Sequence, residues 1–202
     1  MLLPLLGCVA ADEKFLVYDT VHHEQLNKQR RALMFYLDAA MRLKRTLVLP
    51  RGRLLRREKY GQFSPVAEFV RWGELFNVSR LSELHPVIEI ETFLQEHGTI
   101  DLLTKLDHKG CAEQSDTPVE LNGLSARATK YQCVTGLQYN NAGMFALRDL
   151  TSIAFTNSVD QLSPQQAVRL RPFVRYEEGV YEKAAEFVSR SFGGEPFLAI
   201  HW

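Results

Sequence analysis

Long apolar runs are missing from this sequence. No stretch approaches the roughly 20 residues that a membrane-spanning helix needs, so no membrane span is expected. Net charge is missing as well: 24 Lys and Arg stand against 24 Asp and Glu, for a formal net charge of +0. Bulk electrostatics therefore argues for neither nucleic acid nor an anionic membrane surface as partner. No internal repeat and no low-complexity segment is present, so neither a solenoid nor a biased tail is indicated. Cysteine is scarce, at three residues, Cys8, Cys111 and Cys133.

What remains is ordinary globular composition, with 46% hydrophobic and 24% charged residues. The 202 residues suffice for one large or two small domains with a sizeable core. The opening MLLPLLGCVAA differs from the rest. Its apolar run and the small residues Val9-Ala10-Ala11 read as a short secretory signal over residues 1–11, although the usual positive start is lacking. An ordinary first strand is the other reading. If Cys8 leaves with a signal, Cys111 and Cys133 remain as a candidate disulfide, which would stabilise by about 3 kcal/mol. Asn77-Val78-Ser79 has the pattern of an N-glycosylation acceptor. Signal, even cysteine count and sequon together point to the secretory pathway.

The stretch Phe15 to Pro50 organises the chain. A short apolar run, Phe15 to Tyr18, reads as a strand, and a polar loop follows. Leu26, Leu33, Leu37, Ala40 and Met41 then recur at helical spacing and predict a helix over Leu26 to Leu43, with Arg30, Arg31, Asp38, Arg42 and Lys44 on its polar faces. Thr46 to Leu49 reads as a second strand. This is a β-loop-α-β crossover, the unit of an open, doubly wound α/β sheet. Such sheets bind ligands beyond the carboxyl ends of their strands. The loop His22-His23-Glu24-Gln25-Leu26-Asn27 lies at that end and leads into a helix N-terminus, which favours an anion.

Further along, residues 51–59 carry many arginines and read as a solvated loop or an anion-binding patch. Val66 to Phe76 is expected to be helical. Val87 to Ile90 predicts a strand, and Glu91 to His97 a short helix closed by Gly98. Residues 101–135 read as loop-rich. Ser152 to Phe155 is another strand candidate, and Ser163-Pro164 reads as an N-cap with proline at the first helical position. Tyr181 to Phe192 predicts a helix that buries Ala184, Ala185, Phe187, Val188 and Phe192. Phe197 to Ile200 reads as a strand whose carboxyl end, where a site should begin, meets the end of the sequence. The expectation is a partial chain.

Three stretches together resemble the GDP-fucose protein O-fucosyltransferase family. They are Phe15 to Pro50, with Glu24 and then Asn27-x-Gln29-Arg30; Gly52-Arg53-Leu54 with Trp72 and His85-Pro86-Val87-Ile88-Glu89; and Gly193-Gly194-x-Pro196 through His201-Trp202. The similarity is greatest to the type that modifies thrombospondin type 1 repeats. It implies a Rossmann-like α/β lobe, residues 12–202, the N-terminal lobe of a two-lobed GT-B-type glycosyltransferase, cut before the donor-binding lobe. It implies transfer of fucose from GDP-fucose to Ser or Thr of small disulfide-bonded repeats, with inversion, in the endoplasmic reticulum. Glu24 matches the family's catalytic base. Gln25, Leu26, Asn27 and His201 fall where GDP-fucose is bound. Gln25 replaces a family glycine, and His22 and His23 stand where relatives tend to carry proline. GDP-fucose is a substrate, so no cofactor is expected. The expected partners are folded, disulfide-rich acceptor domains, and the chain is expected to be a monomer.

The chemistry leaves alternatives open. Glu24 is of the right type for a base, and equally for a surface or helix-capping carboxylate. His22 and His23 titrate near neutrality and read as a second candidate base or as exposed loop residues. Their spacing with Glu24 is not that of a zinc site, and no Asp-x-Asp pair occurs, so no metal is expected. Asn27 suits a helix cap as well as a ligand contact. The competing reading of the whole is a catalytically silent lumenal binding module that grips a protein through residues 53–59.

Overall fold

Strand β1 (Phe15–Tyr18) is buried along its whole length. A short apolar run without alternation behaves so when both faces of a parallel sheet are covered. The structure is a computed structural model that describes residues 13–19, 26–57, 63–106, 114–121, 123–134, 150–156, 163–193 and 195–196. Helix α1 (Leu26–Leu43) returns the chain to β2 (Thr46–Leu49), which pairs parallel to β1 with Phe15 opposite Thr46. The predicted crossover is thus present with its expected bounds.

Among the described residues, the remaining elements are β3 (Gly52–Arg57), β4 (Phe63–Val70), a 3-10 turn (Trp72–Glu74), α2 (Val78–Ser82), β5 (Val87–Glu89), α3 (Ile90–His97), β6 (Thr99–Leu106), β7 (Gln114–Leu121), β8 (Leu124–Val134), β9 (Ser152–Thr156), α4 (Pro164–Leu170) and α5 (Glu178–Phe192). Seven strands form one sheet in the order β5-β2-β1-β9-β6-β8-β7. Its pairings are parallel except at the β7–β8 edge. No helix among the described residues is long and apolar enough to cross a membrane.

Side-chain alternation sorts the sheet into two cores. Leu16, Tyr18, Leu47 and Leu49 face α1 and pack with Leu33, Leu37, Trp72 and Phe76. Phe15, Val17 and Val48 face the other way and meet Ile90 and Phe93 of α3 with Leu121 and Ala126 from β7 and β8. Of the predicted α1 stripe, Leu33, Leu37 and Ala40 are fully buried, and Leu26 and Met41 pack at its margins.

Helix α1 ends in a Schellman pattern: Arg45 N donates to Ala40 O at 3.0 Å and Lys44 N to Met41 O at 3.4 Å. Lys44 occupies the left-handed position at φ 52°, where a glycine would avoid about 1–2 kcal/mol of steric cost. The turn sends Arg45 under the amino ends of the strands. Its guanidinium donates to Phe15 O, Thr151 O and Leu150 O at 3.1, 3.1 and 2.7 Å. Burial pushes the Arg45 guanidinium below the usual arginine range, and the nearby Asp101 carboxylate works against that shift. Asp101 also accepts from Thr151 N and Ser152 N at 2.7 and 3.0 Å.

Five expectations need correction. Residues 52–57 are not a loop: they pair antiparallel with β4 as a separate two-stranded sheet, with Arg53 opposite Phe69. Residues 63–70 are strand where a helix was expected to begin by Val66, and only the 3-10 turn at Trp72 is helical. Residues 101–135 contribute three strands, because β7 and the outer face of β8 are solvated and carry polar residues that mask the pattern. Helix α5 has no buried side chain. Asp38, placed on a polar face, is 3% exposed and pairs with Arg42 at 2.7 Å and Arg169 at 2.8 Å. Gln166 Nε2 donates to it at 3.1 Å, tying α4 to α1. Strand β5, Gly98 at φ 70° and the Ser163 cap, which accepts from Gln166 N, match the sequence reading.

Candidate donor and acceptor site

The strand order reverses between β1 and β9. From β1 the chain moves outward to β2 and β5; it then resumes beyond β9 at β6. In an open parallel sheet the crevice at such a reversal, on the carboxyl side, is where ligands bind. Described residues at this rim include Tyr18 at the end of β1 and Asp19 after it, the first turn of α1, the segment Pro50 to Arg53 after β2, and Glu89 at the end of β5.

The first turn of α1 is held from two sides. Gln29, fully buried, donates from Nε2 to Arg53 O at 2.7 Å and accepts from Arg53 N at Oε1 at 2.8 Å. The Arg53 guanidinium lies 5.0 Å from the Phe69 ring centre, and the residue is 5% exposed. The Arg53 backbone is thus fixed one turn into the helix from its N-terminus, an end that favours negative charge nearby. On the other side, Arg30 Nε donates to Val174 O at 3.0 Å while its guanidinium stands 5.4 Å over the Tyr176 ring. The Tyr176 hydroxyl donates to Asn27 Oδ1 at 3.3 Å.

Tyr176 is itself fixed. It stacks on Phe76 at 4.9 Å, and Phe76 stacks on buried Trp72 at 4.7 Å. Backbone bonds from Asn77 N to Arg175 O and Glu177 N to Leu75 O, at 2.9 and 3.0 Å, brace the same contact. At the neighbouring strand, Glu89 accepts from Gly73 N at 3.0 Å, and Arg51 pairs with Glu91 at 2.7 Å.

Of the residues singled out from sequence, Asn27 is exposed on the rim and Leu26 is half-buried against the α1 core. Glu24, Gln25, His22, His23, His201 and Cys111 lie outside the described residues. Cys133 belongs to β8. Asn77 is half-buried as the N-cap of α2, accepting from Arg80 N at 2.8 Å. Sequence reading passed over Tyr176 because nothing local marks it: its partners Phe76 and Asn27 are far away in the chain.

Solved structures of POFUT1 share this fold. The complex with GDP-fucose superposes with a TM-score of 0.63 at 14% identity, covering 89% of this chain and 56% of that one. The complex with GDP gives 0.63 at 16% identity, covering 89% and 55%. The chain thus has the Rossmann-like α/β fold of those neighbours, with a mostly parallel sheet, and spans a little over half their length. The sequence model described as GDP-fucose protein O-fucosyltransferase matches residues 15–202. The chain belongs to that family. A GDP-fucose protein O-fucosyltransferase 2 of Caenorhabditis elegans is 32% identical over 105 residues, which is 50% of this chain and 24% of that protein.

Proposed function

We propose that this chain is the acceptor-facing lobe of an enzyme that transfers fucose from GDP-fucose to Ser or Thr of small, folded, disulfide-bonded domains of the thrombospondin type 1 kind, with inversion. The observation that carries the reading is the doubly braced first turn of α1 at the sheet's reversal point, in a chain of this family. That turn begins directly after the loop containing Glu24 and Gln25.

In the proposed reaction the acceptor hydroxyl oxygen bonds to the anomeric carbon as the bond from that carbon to the β-phosphate oxygen breaks. The hydroxyl proton passes to Glu24, and GDP departs with the bonding pair. Asn27, with backbone groups of Gln25 and Leu26, holds the nucleotide sugar against the helix N-terminus, where free N–H groups suit the diphosphate. His201 approaches the phosphates, and a second lobe supplies the remaining cationic charge. The mechanism uses no metal. The enzyme works as a monomer in the endoplasmic reticulum, with residues 1–11 as its signal, a bridge between Cys111 and Cys133, and a glycan on Asn77.

The test is transfer to a folded thrombospondin-type repeat by the chain extended over the family's full length. Glu24→Gln should lower transfer by at least about 10²-fold and leave GDP binding intact. Undiminished transfer in that variant would remove Glu24 from the role of base.

A further inference from the structure

Helix α4 meets α1 around one buried carboxylate. Asp38, its side chain 4% exposed, accepts at Oδ2 from Arg42 Nη2 at 2.7 Å and Gln166 Nε2 at 3.1 Å. Its Oδ1 accepts from Arg169 Nη2 at 2.8 Å. Gln166 is occupied at both ends, because its Oε1 accepts from Ser163 N and Ser163 Oγ at 3.0 and 2.8 Å. These three side chains, with Arg42 and Gln165, line a cavity of about 400 Å³. Its polar groups do not balance. Both Asp38 oxygens and the Gln166 oxygen already accept. Arg169 donates from Nη2 alone, so the N–H groups of its Nε and Nη1 have no acceptor among the described residues. The exposed Gln165 amide makes no hydrogen bond among them either. Charge is uneven in the same sense, with one carboxylate facing two guanidiniums. The cavity lacks an acceptor that carries negative charge.

We propose that this cavity binds a small phosphorylated sugar, held at its phosphate by Arg169 and Gln165. A guanidinium anchored to a carboxylate through one nitrogen presents its other N–H groups as a planar fork, which suits an oxyanion. Asp38 is the anchor, and its burial fixes where that fork stands. The volume is that of a small-molecule site and exceeds what a bare ion fills. All five lining side chains are charged or carry an amide, and none is aromatic. That wall suits a hydroxylated body beside the phosphate and offers a nucleobase no surface on which to stack. The cavity is distinct from the rim described above. Asp38 follows Asn27 by eleven residues in α1, about 16 Å along the helix axis, toward the amino ends of β1 and β2. The proposal therefore stands apart from the reading of Glu24 and Asn27.

The experiment titrates glucose 6-phosphate into the 202-residue chain at low ionic strength, where an exposed guanidinium is least screened. The Gln165 side-chain amide is followed by heteronuclear NMR, its resonance identified by its loss in Gln165→Ala. A saturable displacement of that resonance is expected. Inorganic phosphate should bind more weakly, and glucose should leave the resonance in place. Arg169→Ala should weaken binding by at least about tenfold. The Arg169 side chain is 62% exposed, so the fold survives its loss, and an unchanged backbone spectrum away from α4 checks this. Arg169→Lys keeps the charge without the fork and should recover only part of the affinity. A resonance that does not move, or that moves equally in Arg169→Ala, overturns the site. So does a titration that moves the Asn27 amide and spares Gln165, which would put the anion at the start of α1. Phosphate binding as tightly as its sugar ester, or glucose binding without a phosphate, overturns the phosphorylated sugar as ligand. None of these readings depends on fucose transfer.

Discussion

The side-chain amide of Gln29 pairs with the backbone of Arg53 through two hydrogen bonds of 2.7 and 2.8 Å, imitating one rung of a β-ladder from within a helix. Both partners are buried, so neither backbone group has water in reserve. The contact fixes where the chain leaves β2 and how α1 begins.

Gln29→Leu should therefore strand two buried backbone groups. Each costs about 1–3 kcal/mol, and a total loss of about 2–4 kcal/mol is expected from urea unfolding with an unchanged slope. A loss below about 0.5 kcal/mol would mean that the pairing does not persist in solution.

Asp38 and Arg169 form an unequal pair. The carboxylate is 4% exposed and the guanidinium side chain 62%. Arg169→Ala should cost at most about 1 kcal/mol, because water and Arg42 replace what it gave. Asp38→Ala removes the acceptor shared by Arg42, Gln166 and Arg169 and should cost about 1–3 kcal/mol. Equal costs in the two variants would contradict this asymmetry.

Tyr176→Phe keeps the ring on Phe76 and removes only the hydroxyl that donates to Asn27. On the proposed reading of Asn27, KM for GDP-fucose in the extended chain should rise about two- to tenfold with kcat nearly unchanged. A matching fall in kcat would place the effect on the chemical step. No change in either constant would separate Tyr176 from the nucleotide.

Gly123 turns the chain between β7 and β8 at φ 77°, and an added Cβ would lie 2.9 Å from the Phe69 ring. Gly123→Ala should lower stability by about 1–3 kcal/mol, through both the left-handed backbone and the crowded ring. Thermal unfolding reads this directly. A neutral result would show that the turn does not rest on β4.

The crossover from Phe15 to Leu49 was legible because its periods are clean: short unbroken apolar strands around a helical stripe. The turn at Gly98 and the Ser163 cap were legible because each depends on one or two residue types. The β3–β4 pair was not, since the charged residues Arg53, Arg56, Arg57 and Glu68 within the two runs conceal a strand pattern. Asp38 read as surface because the α4 residues that join Arg42 in pairing with it, Gln166 and Arg169, are 128 and 131 positions away. The site was half legible. The α1 N-terminus follows from the β-loop-α order alone, whereas the braces that set its first turn, Arg53 and Tyr176, join segments whose nearness no local pattern records.

The strand order also bears on biosynthesis. Strand β9 is the last made of the seven and sits between β1, among the first made, and β6. Until it emerges, the chain holds two partial sheets, β5-β2-β1 and β6-β8-β7, each with an open edge. At about 5–20 residues per second, on the order of ten seconds separates the synthesis of β1 from that of β9. Through that interval the backbone groups of β1 and β6 that β9 will pair remain available to any other extended segment. Both the joining of the halves and the escape from wrong pairing wait on five residues, Ser152 to Thr156.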